Sequence, residues 1–120
     1  MSVWRTSYLI YGFKLEESEL DVIDDHYEDI TENEPLRDLF DNDEYGKGTI
    51  VYDGMCGLYT YIGVNLASID EDSDEDIVIP KNDILKLDNK LSDIMKILPS
   101  YLLDALKDKE PKLYFFVHTS

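Results

Sequence analysis

Two long apolar runs, each typical of a buried β-strand, limit the folds open to this chain more than any other feature. Residues 7–14 read SYLIYGFK and residues 58–66 read LYTYIGVNL. Apolar and aromatic side chains are nearly continuous in both runs, whereas a strand with one solvated face alternates apolar and polar residues. The sequence therefore predicts two central strands.

Two further strands are predicted beside them. The first is residues 48–53. The Asp53-Gly54 pair at its end is typical of tight hairpin turns, so this strand is expected to pair antiparallel with residues 57–68, the segment that contains the second apolar run. The last strand, KLYFFVHT, begins directly after Pro111. The chain thus offers four strands, two of them in a hairpin.

The segments between the predicted strands have the apolar spacing of helices. Residues 17–32 carry apolar residues at spacings of three and four with acids between them, which predicts one amphipathic helix with a core stripe of Leu20, Ile23, Tyr27 and Ile30. The stretch NEPLRDLFD predicts a short helix or turn with Pro35 at its first position. Residues 84–98 predict a second main helix with a stripe of Ile84, Leu87, Leu91, Ile94, Met95 and Leu98.

The order of these elements predicts the fold class. Strand, helix, two strands, helix and strand form the β-α-β-β-α-β pattern of an α+β domain, with a small antiparallel sheet and helices on one face. The ferredoxin-like split βαβ arrangement is the best match, and it places the first and third strands at the centre. Residues 1–120 are expected to form a single globular domain, since a chain of this length buries a core without disulfides or metal.

Negative charge is concentrated in the middle of the chain. Residues 15–80 contain 21 Asp and Glu against two basic residues, a local net charge of -19, while the whole chain carries -16. The hydrophobic fraction of 43% is too high for an acidic disordered chain. Such a field repels nucleic acid and anionic membranes and attracts basic partners. Direct nucleic-acid binding and membrane binding are therefore not expected.

Cysteine usage and the first residues predict a cytoplasmic protein. Cys56 is the only cysteine, so an intrachain disulfide framework and a cysteine-based zinc site are excluded. The start, MSVWRTSYLIYGF, lacks the pattern of a signal peptide, and its apolar run is too short to span a membrane.

The stretch IDEDSDEDI resembles a calcium-binding loop at first sight. An EF-hand loop that starts at Asp70 requires Gly at its sixth position and Glu at its twelfth, where this chain has Glu75 and Lys81. No clear helix is expected to enter the loop either. The sequence therefore predicts a solvated loop with no specific metal site, and no cofactor motif occurs elsewhere.

The remaining reactive side chains do not predict an enzyme. His26 and His118 are remote in sequence, and Cys56 has no basic neighbour that would lower its pKa. The serines lack the glycine-flanked turn of a nucleophile. Tyr59 and Tyr61 share one strand face, with Tyr8 and Tyr11 on a neighbouring strand, but a base-stacking platform would need a basic groove, so core packing is expected.

The acids themselves are the candidate site. On the predicted helix, Asp21, Asp25, Glu28 and Glu32 follow one another at four, three and four residues. This spacing would set neighbouring carboxylates about 4.5 to 6 Å apart along the axis, comparable to the phosphate spacing of a nucleic-acid strand. We name the predicted partner-binding set the acidic surface; its members are Glu17, Asp21, Asp24, Asp25, Glu28, Asp29, Glu32, Asp41, Asp43, Glu44, Asp70, Glu71, Asp72, Asp74, Glu75 and Asp76.

In size, charge and composition the chain resembles small acidic inhibitor proteins of bacteriophages, including anti-restriction proteins, uracil-DNA glycosylase inhibitors and anti-CRISPR proteins. The resemblance rests on the 120-residue length, the acidic middle, the single cysteine and an Ile-, Lys-, Asp- and Asn-rich usage. It implies stoichiometric inhibition of a basic nucleic-acid-binding protein of the host or its defence, without cofactor or turnover.

Two alternatives stay open at this point. The same acids suit a bacterial immunity or adaptor protein that binds a basic toxin or a regulatory partner. The acidity could also serve solubility alone. The sequence does not define the oligomeric state.

Overall fold

A computed structural model describes residues 5–53 and 57–119. Its four strands are β1 Arg5–Glu16, β2 Gly48–Tyr52, β3 Tyr59–Asp70 and β4 Lys112–Thr119. They form one sheet in the order β2-β3-β1-β4, and every neighbouring pair is antiparallel. The α+β class and the antiparallel sheet are confirmed, and the first and third strands are central as predicted. The ferredoxin-like assignment stays a prediction.

Helical segments connect β1 to β2 and β3 to β4. After a 3₁₀ turn at Glu17–Glu19 come α1 Asp21–Asp25, α2 Tyr27–Glu32 and α3 Leu36–Leu39, and the second connection contains α4 Lys81–Leu85, α5 Leu87–Met95 and α6 Ser100–Leu106. Residues 71–80 between β3 and α4 contain no helix or strand.

The prediction of one continuous helix over residues 17–32 is wrong. The backbone at His26 has φ -120° and ψ 22°, far from helical values, and it separates α1 from α2. Leu20, Ile23 and Ile30 are buried as predicted, but Tyr27 is 45% exposed. The break shifts Tyr27 out of the predicted stripe, because helical periodicity does not carry over a non-helical residue.

The predicted helix over residues 84–98 is interrupted in the same way. Lys86 has φ -96° and ψ 4° and separates α4 from α5. Ile84, before the break, is 48% exposed, whereas Leu87, Leu91 and Ile94 in α5 are buried. Only the part of the stripe after the break therefore faces the sheet.

The main core lies between one sheet face, here called the helical face, and the helices. Phe13 and Leu15 of β1 and Ile62 and Val64 of β3 pack there against buried residues of the helical segments: Leu20, Ile23, Ile30, Leu36, Leu39, Leu87, Leu91, Ile94, Leu102 and Leu106. Burial of this set supplies the main driving force for folding, at roughly 25 cal/mol per Å² of apolar surface.

A second, smaller core covers the opposite sheet face, here called the aromatic face. Tyr8, Ile10, Val51 and Tyr61 are buried there, with Tyr59, Tyr114 and Phe116 packed against them. The rings of Tyr61 and Phe116 stack with centroids 3.7 Å apart. Tyr61 lies opposite Lys14 and Phe116 lies opposite Tyr8, six residues away along β1, so the two rings meet diagonally across β1.

Gly12 and Gly63 lie opposite each other in the middle of the sheet. A Cβ added to Gly12 would lie 2.2 Å from the Ile62 carbonyl oxygen, and one added to Gly63 would lie 2.2 Å from the Tyr11 carbonyl oxygen. The backbones of the two central strands thus approach too closely for any side chain at this pair.

The expectation of core packing for the tyrosines holds for most of the set. Tyr8 and Tyr61 are 6% exposed, and Tyr59 shares their face. Tyr11 belongs to the other face, where its hydroxyl donates a hydrogen bond to Asp88 of α5.

Candidate functional site

The acidic surface falls into two groups, which we name by their positions. The helix acids lie in the 3₁₀ turn and in α1 and α2 and are Glu17, Asp21, Asp24, Asp25, Glu28, Asp29 and Glu32. The loop acids lie before β2, at the last residue of β3 and after it, and are Asp41, Asp43, Glu44, Asp70, Glu71, Asp72, Asp74, Glu75 and Asp76. All sixteen are exposed except Asp29, which is half-buried.

The helix acids do not form the regular track that the sequence predicts. The even rise assumed for Asp21, Asp25, Glu28 and Glu32 ends at His26, where the helix breaks. The His26 ring packs here face to face on the ring of Tyr101 in α6, with centroids 3.6 Å apart and planes 7° apart, and His26 Nδ1 lies 3.0 Å from the Val22 carbonyl oxygen.

Asp29 is the helix acid held most firmly. Its carboxylate accepts a hydrogen bond of 2.5 Å from the Tyr101 hydroxyl and one of 2.9 Å from the Asn33 amide. These two bonds, the first most strongly, lower the pKa of Asp29. Burial and the bond to Asp29 raise the pKa of Tyr101. Asp29 therefore stays charged and fixed between α2 and α6.

Tyrosine hydroxyls bind carboxylates at three other places. Tyr52 donates to Asp24 at 3.1 Å, Tyr11 donates to Asp88 at 2.5 Å, and Tyr45 donates to Asp83. In a chain with 27 acids and 11 Lys and Arg, tyrosine thus supplies donors that basic residues would otherwise supply. Sequence reasoning missed these pairs, because their members lie between 28 and 77 residues apart.

Tyr52 connects the helix acids to the loop acids. Its hydroxyl donates a hydrogen bond to Asp24, while its main-chain N–H lies near enough to the Asp41 carboxylate to lower the pKa of that group. Asp41 has a positive φ of 52° and its own N–H bonds the Ile50 carbonyl oxygen, which holds it along the outer edge of β2. Asp41 is exposed overall, but its carboxyl group is partly shielded from water. This desolvation raises the pKa of Asp41, and the smaller effects of His118 and the Tyr52 N–H lower it.

The two loop segments meet near the end of β3. Burial, followed by the negative charges of Asp41, Asp43 and Asp70, raises the pKa of Tyr8 to about 12. The Ser68 hydroxyl donates to the Asp43 carbonyl oxygen at 3.3 Å. Acids that are distant in sequence therefore act through their charge on one buried tyrosine.

A groove of about 520 Å³ lies beside the loop acids. Its walls combine apolar and acidic side chains, namely Asp43, Tyr45, Ala67, Ser68, Asp76, Ile77, Val78, Pro80 and Asp83. Such a lining suits the aliphatic stem and charged head of a Lys or Arg side chain.

The ion pairs of the described residues involve acids outside the acidic surface. In the described part of the chain, Lys and Arg contact five carboxylates, those of Glu16, Glu19, Glu34, Asp38 and Asp93. None of these belongs to the acidic surface. Leaving Asp70 aside, the acids of this surface therefore form no ion pair with any described Lys or Arg.

The other candidate reactive groups are metal-binding clusters, the histidines and Cys56. Over residues 5–53 and 57–119, no three His, Asp or Glu side chains gather in a way that could hold a metal ion. His118 is buried on the aromatic face with its Nδ1 2.9 Å from the Tyr59 hydroxyl. Cys56 and the predicted turn at Gly54 lie outside the described residues. No described helix has the length and apolar character needed to cross a membrane.

Comparison of the chain with protein-family models, with curated protein sequences and with solved structures found no match. The resemblance to phage inhibitors therefore rests on size, charge and composition alone.

Proposed function

We propose that this protein is a non-catalytic acidic inhibitor that acts in the cytoplasm on a basic, nucleic-acid-binding protein of a bacterial host or its defence. It binds through the helix acids and the loop acids and occupies the site that nucleic acid would use. The protein is of the anti-restriction or anti-CRISPR type and is encoded by a bacteriophage.

The observation that carries the proposal is the exposure of the acidic surface and, with Asp70 set aside, the lack of ion pairs between its acids and any described Lys or Arg. Fifteen of its sixteen acids are exposed, and the ion pairs of the described chain lie elsewhere. Like-charged side chains concentrated in this way cost folding stability. A partner rich in Lys and Arg offsets that cost on binding, because its cations neutralise the exposed carboxylates.

The choice of a nucleic-acid-binding partner follows from the same charges. Proteins that bind nucleic acid neutralise phosphates with Lys and Arg, so their binding channels present the cations that the acidic surface requires. Nucleic acid itself is repelled by a net charge of -16.

The test measures DNA cleavage by purified defence nucleases, namely a restriction endonuclease and an RNA-guided nuclease, as increasing amounts of this protein are added. In parallel, the protein is expressed in cells that carry each system, and the plating of a sensitive phage is counted. We expect stoichiometric loss of cleavage by one nuclease and increased plating on the corresponding cells. Full cleavage and unchanged plating with every system tested would contradict the proposal.

Competition by duplex DNA then distinguishes occupation of the nucleic-acid site from binding elsewhere. An inhibitor in that site is displaced by excess DNA, and its affinity falls as salt screens the charges. Binding that persists in saturating DNA would instead favour the immunity or adaptor alternative, in which the acids contact another basic surface.

A further inference from the structure

The outer strand β4 carries a row of apolar side chains exposed to solvent. Leu113, Phe115 and Val117 are 56%, 75% and 52% exposed. Phe115 lies opposite Leu9 of β1, and Leu9 packs into the main core, so the row is on the helical face. Three alternating apolar residues on one strand form a continuous patch rather than scattered surface residues.

In the part of the chain that the structure describes, this row and the strand edge beside it are uncovered. Helix α5 packs over β3 and β1. β1 pairs with one edge of β4, and within residues 5–53 and 57–119 no strand pairs with the other edge. β4 contains no proline, its register with β1 runs without a shift, and Lys112 is its only Lys or Arg. It thus lacks the features by which natural sheets block pairing at an edge.

We propose that β4 pairs antiparallel with β4 of a second copy of this chain, about a two-fold axis at Phe115, and joins the two sheets into one of eight strands. In this register Phe115 faces the partner's Phe115, and Leu113 faces the partner's Val117. The apolar rows of both copies then form one cluster on the helical face. Main-chain hydrogen bonds between the two edges add to this contact.

The charge distribution favours a second copy of this chain as the partner that pairs with β4. Residues 112–119 contain no Asp or Glu, and residues 81–120 hold seven Lys against six acids, whereas residues 15–80 sum to -19. Two molecules of charge -16 therefore meet with least repulsion at β4. A basic partner of the kind proposed above would find no carboxylate on this strand. A two-fold arrangement also gives each apolar row an identical and complementary row to pack against.

The test is sedimentation equilibrium of the full chain over a wide concentration range, at low and high salt. We expect a dimer whose affinity increases with salt, since salt screens the mutual repulsion of the two copies. Phe115→Glu is expected to weaken the dimer at least about tenfold. Leu85→Glu adds the same charge at a residue that is 71% exposed, and it is expected to leave the dimer intact.

Two further substitutions of Phe115 test the dimer and its register. Circular dichroism checks that Phe115→Glu is folded, and Phe115→Ser, which adds no charge, replaces it if it is not. Phe115→Cys in a Cys56→Ser background is expected to form a disulfide-linked dimer on mild oxidation, because the axis places the two residues side by side. A wild-type monomer at all concentrations, or a dimer unaffected by substitution of Phe115, would overturn the proposal, and absence of the cross-link would overturn the Phe115 register.

Discussion

The Tyr101 hydroxyl donates a 2.5 Å hydrogen bond to Oδ2 of Asp29, across the contact between α6 and α2. This bond fixes one acid of the acidic surface to the body of the protein without a cation. Because the bond neutralises no charge, Asp29 remains available to attract a basic partner. Tyrosine donors therefore hold Asp29 and, through Tyr52, Asp24 in place and preserve their negative charge.

Tyr101→Phe is expected to lower the urea midpoint of unfolding and to raise the pKa of Asp29, because a charged carboxylate loses its strongest hydrogen bond. NMR titration of the Asp29 carboxyl group measures the second effect. Tyr45→Phe is the matched control, since Tyr45 is 45% exposed and its bond to Asp83 lies at the surface. An equal loss of stability in both variants would contradict the structural role of the Tyr101 bond.

Alkaline pH should destabilise the protein through Tyr8. Its pKa is raised from 10.0 to about 12 in the folded state, so its contribution is fully present below pH 10 and is lost as pH rises through 12. The loss should be on the order of 2 kcal/mol in the free energy of unfolding. Urea unfolding between pH 9 and pH 12 measures it in the wild type and in Tyr8→Phe. A fall of equal size in the variant would show that other groups cause it.

Gly12→Ala and Gly63→Ala should each destabilise the fold by about 1 to 3 kcal/mol or more, because the new Cβ would meet main-chain atoms that cannot move aside. Gly48→Ala is the control in β2. Its Cβ would lie 2.9 Å from side-chain atoms of Ile94 and Leu39, which can shift. Thermal unfolding ranks the three variants, and a Gly48→Ala loss as large as that of Gly12→Ala would argue against the close strand approach.

The loop acids are expected to contribute to partner binding through their negative charge. Neutralising the loop with Glu71→Gln, Asp72→Asn, Asp74→Asn and Glu75→Gln should weaken binding to an inhibited nuclease and flatten its salt dependence. Folding should be unchanged, because all four side chains are exposed. If the affinity of this variant equals that of the wild type, residues 70–76 act only as a spacer and the helix acids carry the binding.

Much of the fold could be predicted from local pattern. The run at residues 7–14 lies in β1, the run at residues 58–66 lies in β3 from Tyr59 onward, and both strands are central. Ile23 and Ile30 are buried as their spacing indicates. The breaks at His26 and Lys86 could not be predicted, because they occur within regular apolar patterns. At His26 the break accompanies a ring contact with Tyr101, which is remote in sequence.

The candidate site was predictable in composition but not in arrangement. A count of charges identifies the acids, and their exposure follows from their polarity. Which acids act on the same group depends on the sheet. Asp43 and Asp70 both raise the pKa of Tyr8, and the segment with Asp43 lies beside the end of β3, where the Ser68 hydroxyl bonds the Asp43 carbonyl oxygen. The tyrosine–carboxylate pairs depend on contacts between different elements, as does the exposed row on β4.

Charge reversal at the helix acids tests the central claim most directly. Asp21→Lys, Asp25→Lys and Glu28→Lys change exposed acids without a tyrosine bond, and Asp93→Lys, Asp104→Lys and Asp108→Lys make the same change of net charge at exposed acids outside the acidic surface. The measurement is the affinity of both variants for a nuclease that the wild type inhibits. We expect at least about a hundredfold loss in the first variant and only a small loss in the second. Equal affinities of the two variants would contradict the acidic surface as the binding site.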